Sequence, residues 1–251
     1  MTFELVCEIE PPTRPDLRPV RHQIGVLSRI ASAFLIPDNH LGRATVSSIA
    51  VAHEVEAMGG RSIACLNSRD RNLLGLRRDL LTAAAYGVDQ FLLVHGDEPG
   101  AGSRTSQLSV REMIGEVRAF SDERPLRAGA VTGLGPVAPW KRDADFLFAQ
   151  VSFSMDALLR WRDAARLDVP VYAGVLVVAS ERMAKRLQDE ITGVDIPSEL
   201  VAAAARDPQA GVVAACEQVL ALRDSGAFDG VHLVPVSRYR EVAARLEREL
   251  S

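Results

Sequence analysis

The chain has 251 residues, 47% hydrophobic and 25% charged, an ordinary globular composition that excludes a disordered or fibrous protein. Its 29 basic and 33 acidic side chains leave a formal charge of −4, which argues against a nucleic-acid partner, because non-specific affinity for a polyanion needs an excess of Lys and Arg. The longest apolar run, residues 169–179, is far short of the ~20 residues that cross a bilayer and contains Pro170 and Gly174, so no membrane span is expected.

Eight short apolar segments read as strands in chain order: residues 3–10, 31–37, 61–67, 90–96, 126–132, 145–153, 169–178 and 230–236. Phe91-Leu92-Leu93-Val94 and Val175-Leu176-Val177-Val178 are apolar throughout, as parallel strands covered on both faces are. Helical patterns over residues 45–58, 72–86, 109–120, 154–167, 180–191, 207–225 and 237–250 alternate with them. Gly59 and Gly87 stand where a left-handed residue ends a helix, and Ser109 with Glu112 has the spacing of a capping box. Residues 133–145 are irregular, since Pro136 and Pro139 leave room for little more than one turn. Eight strands alternating with helices, without a linker, predict one (β/α)8 TIM barrel over residues 1–251 with a shortened fifth unit; an open doubly wound sheet is the alternative.

In a barrel the chemistry sits at the carboxyl ends of the strands. Glu8 and Glu10 end the first strand and alternate onto its inner side, where an unpaired carboxylate acquires the raised pKa of a general acid. Asn67-Ser68-Arg69-Asp70-Arg71-Asn72 ends the third strand. His95-Gly96-Asp97 ends the fourth in a turn that lets backbone approach a planar ligand and holds a carboxylate toward it. Gln150, within the sixth strand as read here, is either a bridge between strands or an amide that reads a heterocycle. Gly133-Leu134-Gly135-Pro136-Val137-Ala138 fits a dinucleotide fingerprint, but too short a helix follows it. The histidines are scattered, so a metal site is not expected, and only His95, beside Asp97, suggests a functional role. Cys7, Cys65 and Cys216 lack the spacing of a disulfide or zinc framework and read as reduced thiols. With an acidic amino terminus that lacks a signal-peptide pattern, they predict a cytoplasmic protein.

Taken together, Glu8-x-x-Pro11-Pro12, Arg69-Asp70-Arg71-Asn72, Gly96-Asp97-x-Pro99, Ala149-Gln150, Arg160-x-Arg162-Asp163, Pro170-Val171-x-Ala173-Gly174-Val175-Leu176 and Ile196-Pro197 resemble the methylenetetrahydrofolate reductase family. The resemblance implies a (β/α)8 barrel that reduces 5,10-methylenetetrahydrofolate to 5-methyltetrahydrofolate with NADH or NADPH, usually through bound FAD. It makes Glu8 the acid that protonates folate N5 as the five-membered ring opens, and Asp97 the carboxylate facing pterin and flavin. Gln150 becomes a pterin-binding amide and Arg238 a partner of the glutamate tail.

This chain departs from the family at the flavin contacts. Ile36-Pro37 replaces a threonine ending strand two, Cys65 aligns with a histidine, His95-Gly96-Asp97 replaces Arg-Gly-Asp, and a Tyr-Ala pair is missing near Ser106-Gln107. A Pro-Glu-Gly-His segment is absent from residues 133–145, and Glu181 stands where an aromatic is expected. Cys65, His95, Gly96 and Glu181 are therefore the aligned cofactor-site positions, FAD is doubtful, and the likeness is to the small flavin-independent branch, in which the nicotinamide nucleotide delivers hydride directly. A catalytically inactive folate-binding homologue and a TIM-barrel lyase are the competing readings. Lys141 and Lys185, the only lysines, are not at strand ends, which speaks against a Schiff-base aldolase.

Overall fold

The computed structural model describes residues 2–97, 104–105, 107–121, 125–190 and 194–250. Eight parallel strands pair in chain order: β1 (Glu4–Glu8), β2 (Ala33–Ile36), β3 (Ser62–Asn67), β4 (Gln90–Val94), β5 (Arg127–Thr132), β6 (Phe146–Ala149), β7 (Val171–Leu176) and β8 (Gly230–Val234). β8 returns to β1, with Val6 opposite His232, and this pairing closes the barrel and excludes the open sheet.

Helices α1 (Arg18–Leu27), α2 (Ser48–Ala57), α3 (Leu73–Ala85) and α4 (Val110–Phe120) follow β1 to β4 in turn. The link from β5 to β6 holds only a 3-10 turn at Pro139–Asp143, the shortened fifth unit anticipated from its prolines. α5 (Met155–Ala165) follows β6; α6 (Glu181–Glu190), α7 (Ser198–Arg206) and α8 (Ala210–Ser225) all lie between β7 and β8; α9 (Tyr239–Leu250) ends the fold.

Each strand divides its side chains between two cores. Leu5, Cys7 and Ile9 of the first segment face outward and join Leu27, Leu76 and Val219 in the core beneath the helices. Val6, Leu35, Cys65, Leu92, Phe146 and Phe148 face inward and fill the barrel. Gly129 makes room for this filling, since a Cβ there would lie 2.0 Å from the Phe146 ring.

Local signals held where they were strongest. Ser109 and Glu112 form the capping box of α4, Asn72 Oδ1 accepts from the Gly75 N–H at the start of α3, and Gly59 has φ +82° after α2. The sequence reading missed α1 and α7. In α1, Pro19 lies in the first turn, where its missing N–H costs no hydrogen bond, and Val20, Ile24 and Leu27 form the buried stripe. Strand ends ran long for a different reason. Pro170 cannot donate to a ladder, so β7 opens at Val171. Past β6 the Gln150 N–H still reaches Thr132 O at 2.8 Å, but the Val151 N–H turns to Gln150 Oε1 at 3.0 Å and the ladder ends. Gln150 thus stands one residue beyond β6, not within the strand.

Candidate active site

Inward positions at the carboxyl end of the barrel surround a cavity of about 340 Å³. Glu8 enters it from the last position of β1 and His232 from the middle of β8. Because His232 pairs with Val6, Glu8 lies two residues further along the neighbouring strand on the same inner face. This diagonal brings His232 Nε2 to 3.1 Å from Glu8 Oε2, with the two side chains 14% and 17% exposed. Glu8 therefore has a hydrogen-bond partner and is not the unpaired carboxylate for which position alone predicts a raised pKa. Phe148 covers one side of the imidazole, its ring centroid 5.3 Å away.

Across the cavity stand Gln150 and Thr132, together with Lys141 from the turn that replaces the fifth helix. Burial pushes the Lys141 pKa below its ordinary value, and its Nζ lies 5.5 Å from the Trp140 ring. Val131, an inward position of β5 on the cavity lining, is 42% exposed. A second lobe continues from the first, with Glu8, His40, Leu176, Leu187 and Val234 shared between the two. It adds Glu10, Gln23, Arg43, Met183 and Arg186. One lobe is thus mainly apolar with a few polar readers, and the other carries guanidinium groups.

The loops after β2, β3 and β4 are tied together by the arginine-rich end of β3. Arg71 pairs with Asp38 and with Asp79 (2.9 Å), while Asp38 accepts from the Asn67 N–H at 3.0 Å. Arg69, 2% exposed, pairs with Asp70 and donates to the Asp97 carbonyl at 2.6 Å. Losing one partner of such a buried pair costs about 3–5 kcal/mol, so these residues set loop geometry before any ligand arrives. Gly96 is required where this network meets β4: it has φ +90°, and a Cβ there would lie 3.0 Å from Asn67 Cβ.

The remaining sequence candidates lie apart from the cavity lining. The Asp97 side chain is 55% exposed and lies 3.9 Å from His40, which lines the cleft. His95 points outward, its Nε2 within 2.5 Å of Arg104 Nη1. Cys65 is buried inside the barrel, where burial and then the Glu8 charge raise its thiol pKa well above the ordinary value. Glu181 begins α6, pairs with Lys185 at 2.6 Å and faces a separate groove against α7. Arg238 pairs with Glu241 at 3.1 Å. Pro99 and Ser106 lie outside the described residues, as does the end of the predicted helix 180–191.

Sequence reasoning passed over His232, His40 and Lys141. For His232 a signal existed, because in Gly230-Val231-His232-Leu233-Val234 the histidine alternates with two apolar residues of the outer core. His40 and Lys141 come from turns and carried no such period. Among the described residues no cluster could hold a metal ion, and no helix is long and apolar enough to cross a membrane. All three cysteines are free and buried.

Fold and cavity define a (β/α)8 barrel with a carboxylate-imidazole pair in a carboxyl-end cleft. The model of the methylenetetrahydrofolate reductase family matches residues 141–248, a stretch that includes Gln150, Arg162, Ile196-Pro197 and Arg238. That stretch is similar to the family, in agreement with the resemblance carried by the motifs. Among curated proteins none matches the chain. A solved structure described as an uncharacterised protein from Clostridium thermocellum that binds two copies of 5-methyl-5,6,7,8-tetrahydrofolic acid is similar at 14% identity and TM-score 0.65, covering 99% of this chain and 96% of its own. Tryptophan synthase structures share the barrel more loosely. One from Pyrococcus furiosus has 16% identity and TM-score 0.51 over 85% of this chain and 96% of that one. One from M. tuberculosis has 14% identity and TM-score 0.53 over 98% and 94%.

Proposed function

We propose that this chain is a methylenetetrahydrofolate reductase in which NADH or NADPH passes hydride directly to 5,10-methylenetetrahydrofolate, without a resident flavin. The observation that carries this reading is Glu8, a carboxyl group facing Gln150 across a cavity sized for a heterocycle. The folate-binding neighbour supports the substrate class, and its two bound copies suit a barrel whose cleft here has two lobes. Two lobes meeting at Glu8 are what a direct transfer needs, since donor and acceptor must be held together.

Gln150 offers an amide for the pterin edge, and Glu8 supplies the proton. Opening of the five-membered ring to a 5-iminium breaks the bond from the methylene to N10, so the proton leaves Glu8 for N10 and not for N5, the atom the family resemblance implied. The iminium carbon then accepts hydride. Asp97 acts at the rim through His40, and Arg238 serves the glutamate tail by exchanging Glu241 for a substrate carboxylate.

A resident flavin fits the described residues poorly. Of the aligned positions, Cys65 is sealed in the barrel, His95 faces out to Arg104, and Glu181 belongs to another groove, so they do not converge on the cleft. The test is the absorbance spectrum of the purified protein and its NADH oxidation with methylenetetrahydrofolate. A colourless protein that oxidises NADH only when the folate is present is expected. Stoichiometric bound flavin would overturn the flavin-free reading, and folate binding without turnover would leave a folate-binding homologue.

A further inference from the structure

We infer that His232 is the proton carrier of Glu8: it orients the carboxyl group and returns the proton that each turnover removes. The inference rests on the reading of Glu8 as the acid, and it concerns a residue that no motif or comparison assigns.

The geometry is local and specific. His232 Nε2 lies 3.1 Å from Glu8 Oε2, both side chains line the cavity, and the Phe148 ring limits the imidazole on one side. On either side of His232 the backbone of β8 pairs with Val6 and Gly174, so two strands fix the origin of its side chain. From β1, Glu8 faces the imidazole, with Glu4 one layer below; from β7 the titratable group is Tyr172, committed to Glu4 at 2.5 Å. On the outer side of β8 packs α8, through the apolar core beneath the helices. Lys141 and His40 complete the titratable lining of the cavity, while Glu10, Arg43 and Arg186 lie in the adjoining lobe.

The chemistry requires such a carrier. Reduction of the methylene group consumes one hydride and one proton. The Glu8 proton goes to N10 as the methylene–N10 bond breaks and its electron pair stays on N10; hydride from the nucleotide completes the methyl group. Glu8 is left as a carboxylate beside a filled cavity. An imidazolium can pass its Nε2 proton to Oε2 and recover one from water, and histidine is the side chain whose ordinary titration range permits this near neutral pH.

His232→Gln keeps a hydrogen-bond donor but cannot carry a proton. It should lower kcat by about 100-fold, the lower range for losing a general acid–base group, while leaving the KM for folate unchanged and deleting one ionisation from the kcat pH profile. Added imidazole should restore part of the rate to His232→Ala. A kcat for His232→Gln within about twofold of the parent, with the parent's pH profile, overturns the inference. The imidazole NMR spectrum provides a second measurement that needs no turnover. The His232 ring 15N chemical shifts should change in Glu8→Ala, which removes the hydrogen-bond partner of Nε2, and identical shifts in the two proteins overturn the pairing. Changed shifts without NADH oxidation would instead remove the reductase reading and leave the hydrogen-bonded pair standing.

Discussion

Glu4 and Glu8 occupy the same inner face of β1, one at each end of the barrel, and their surroundings make them different devices. Glu4 is clasped at the amino end. Tyr172 donates to it at 2.5 Å and Arg61 at 2.7 Å. Burial alone would raise its pKa, but these hydrogen bonds and the charges of Arg61 and Arg127 outweigh burial and hold it below the ordinary value. Glu8 has one imidazole and an open cavity. Position on a strand thus brings both carboxylates inside, and the number of committed donors decides which one stays available for the proposed reaction. The amino end of a barrel reads as stability and the carboxyl end as function.

The largest expected effect falls on Glu8, the proposed acid. Glu8→Gln should reduce NADH-dependent folate reduction by at least about 100-fold, as loss of a general acid does, with a thermal midpoint close to the parent's. Comparable loss of rate and of folding would show that Glu8 is as structural as Glu4. The next concerns Glu4 itself. Glu4→Gln should cost about 1–3 kcal/mol in denaturant unfolding, the range for hydrogen bonds to a charged group, while turnover at saturating substrate is retained. The sign with pH follows from a folded pKa lying below the ordinary 4.5: the stabilisation is fully present above 4.5 and is lost as pH falls through the lower, folded value. The parent's extra stability over Glu4→Gln should therefore shrink below about pH 4.5, and a constant difference down to pH 3 would contradict this account. The smallest effect sharpens the boundary of the site. Glu181→Ala should change stability by less than about 0.5 kcal/mol and leave NADH and folate affinities unaltered, because its partner Lys185 is exposed and both belong to a different groove. A clear rise in the Kd for NADH would return Glu181 to the site.

Much of the barrel was legible before any coordinates. Continuous apolar runs separated by capped helices disclosed all eight strands, and Pro136 with Pro139 disclosed the missing fifth helix. Prolines also concealed: those ahead of Val20 masked α1, whose buried stripe has ordinary helical spacing. At the site, Glu8 and Gln150 were legible because each is a polar group at a strand end beside apolar neighbours. Asp97 and His95 had the same local look, but the turn after β4 carries them to the surface, where Arg69 holds the Asp97 carbonyl and Arg104 meets His95.

Local periodicity and turn chemistry by themselves determined the strand count, the helix caps and which residues face inward, because those properties depend on neighbours one to four positions away. Tertiary structure alone decided that Glu8 meets His232, that Lys141 leaves a turn to enter the cavity, and that Glu4 is clasped by Tyr172 and Arg61 while Glu8 faces the cavity. The first of these depends on closure of β8 onto β1, which joins residues 224 positions apart, and the others on partners far along the chain, so none leaves a trace in a local pattern.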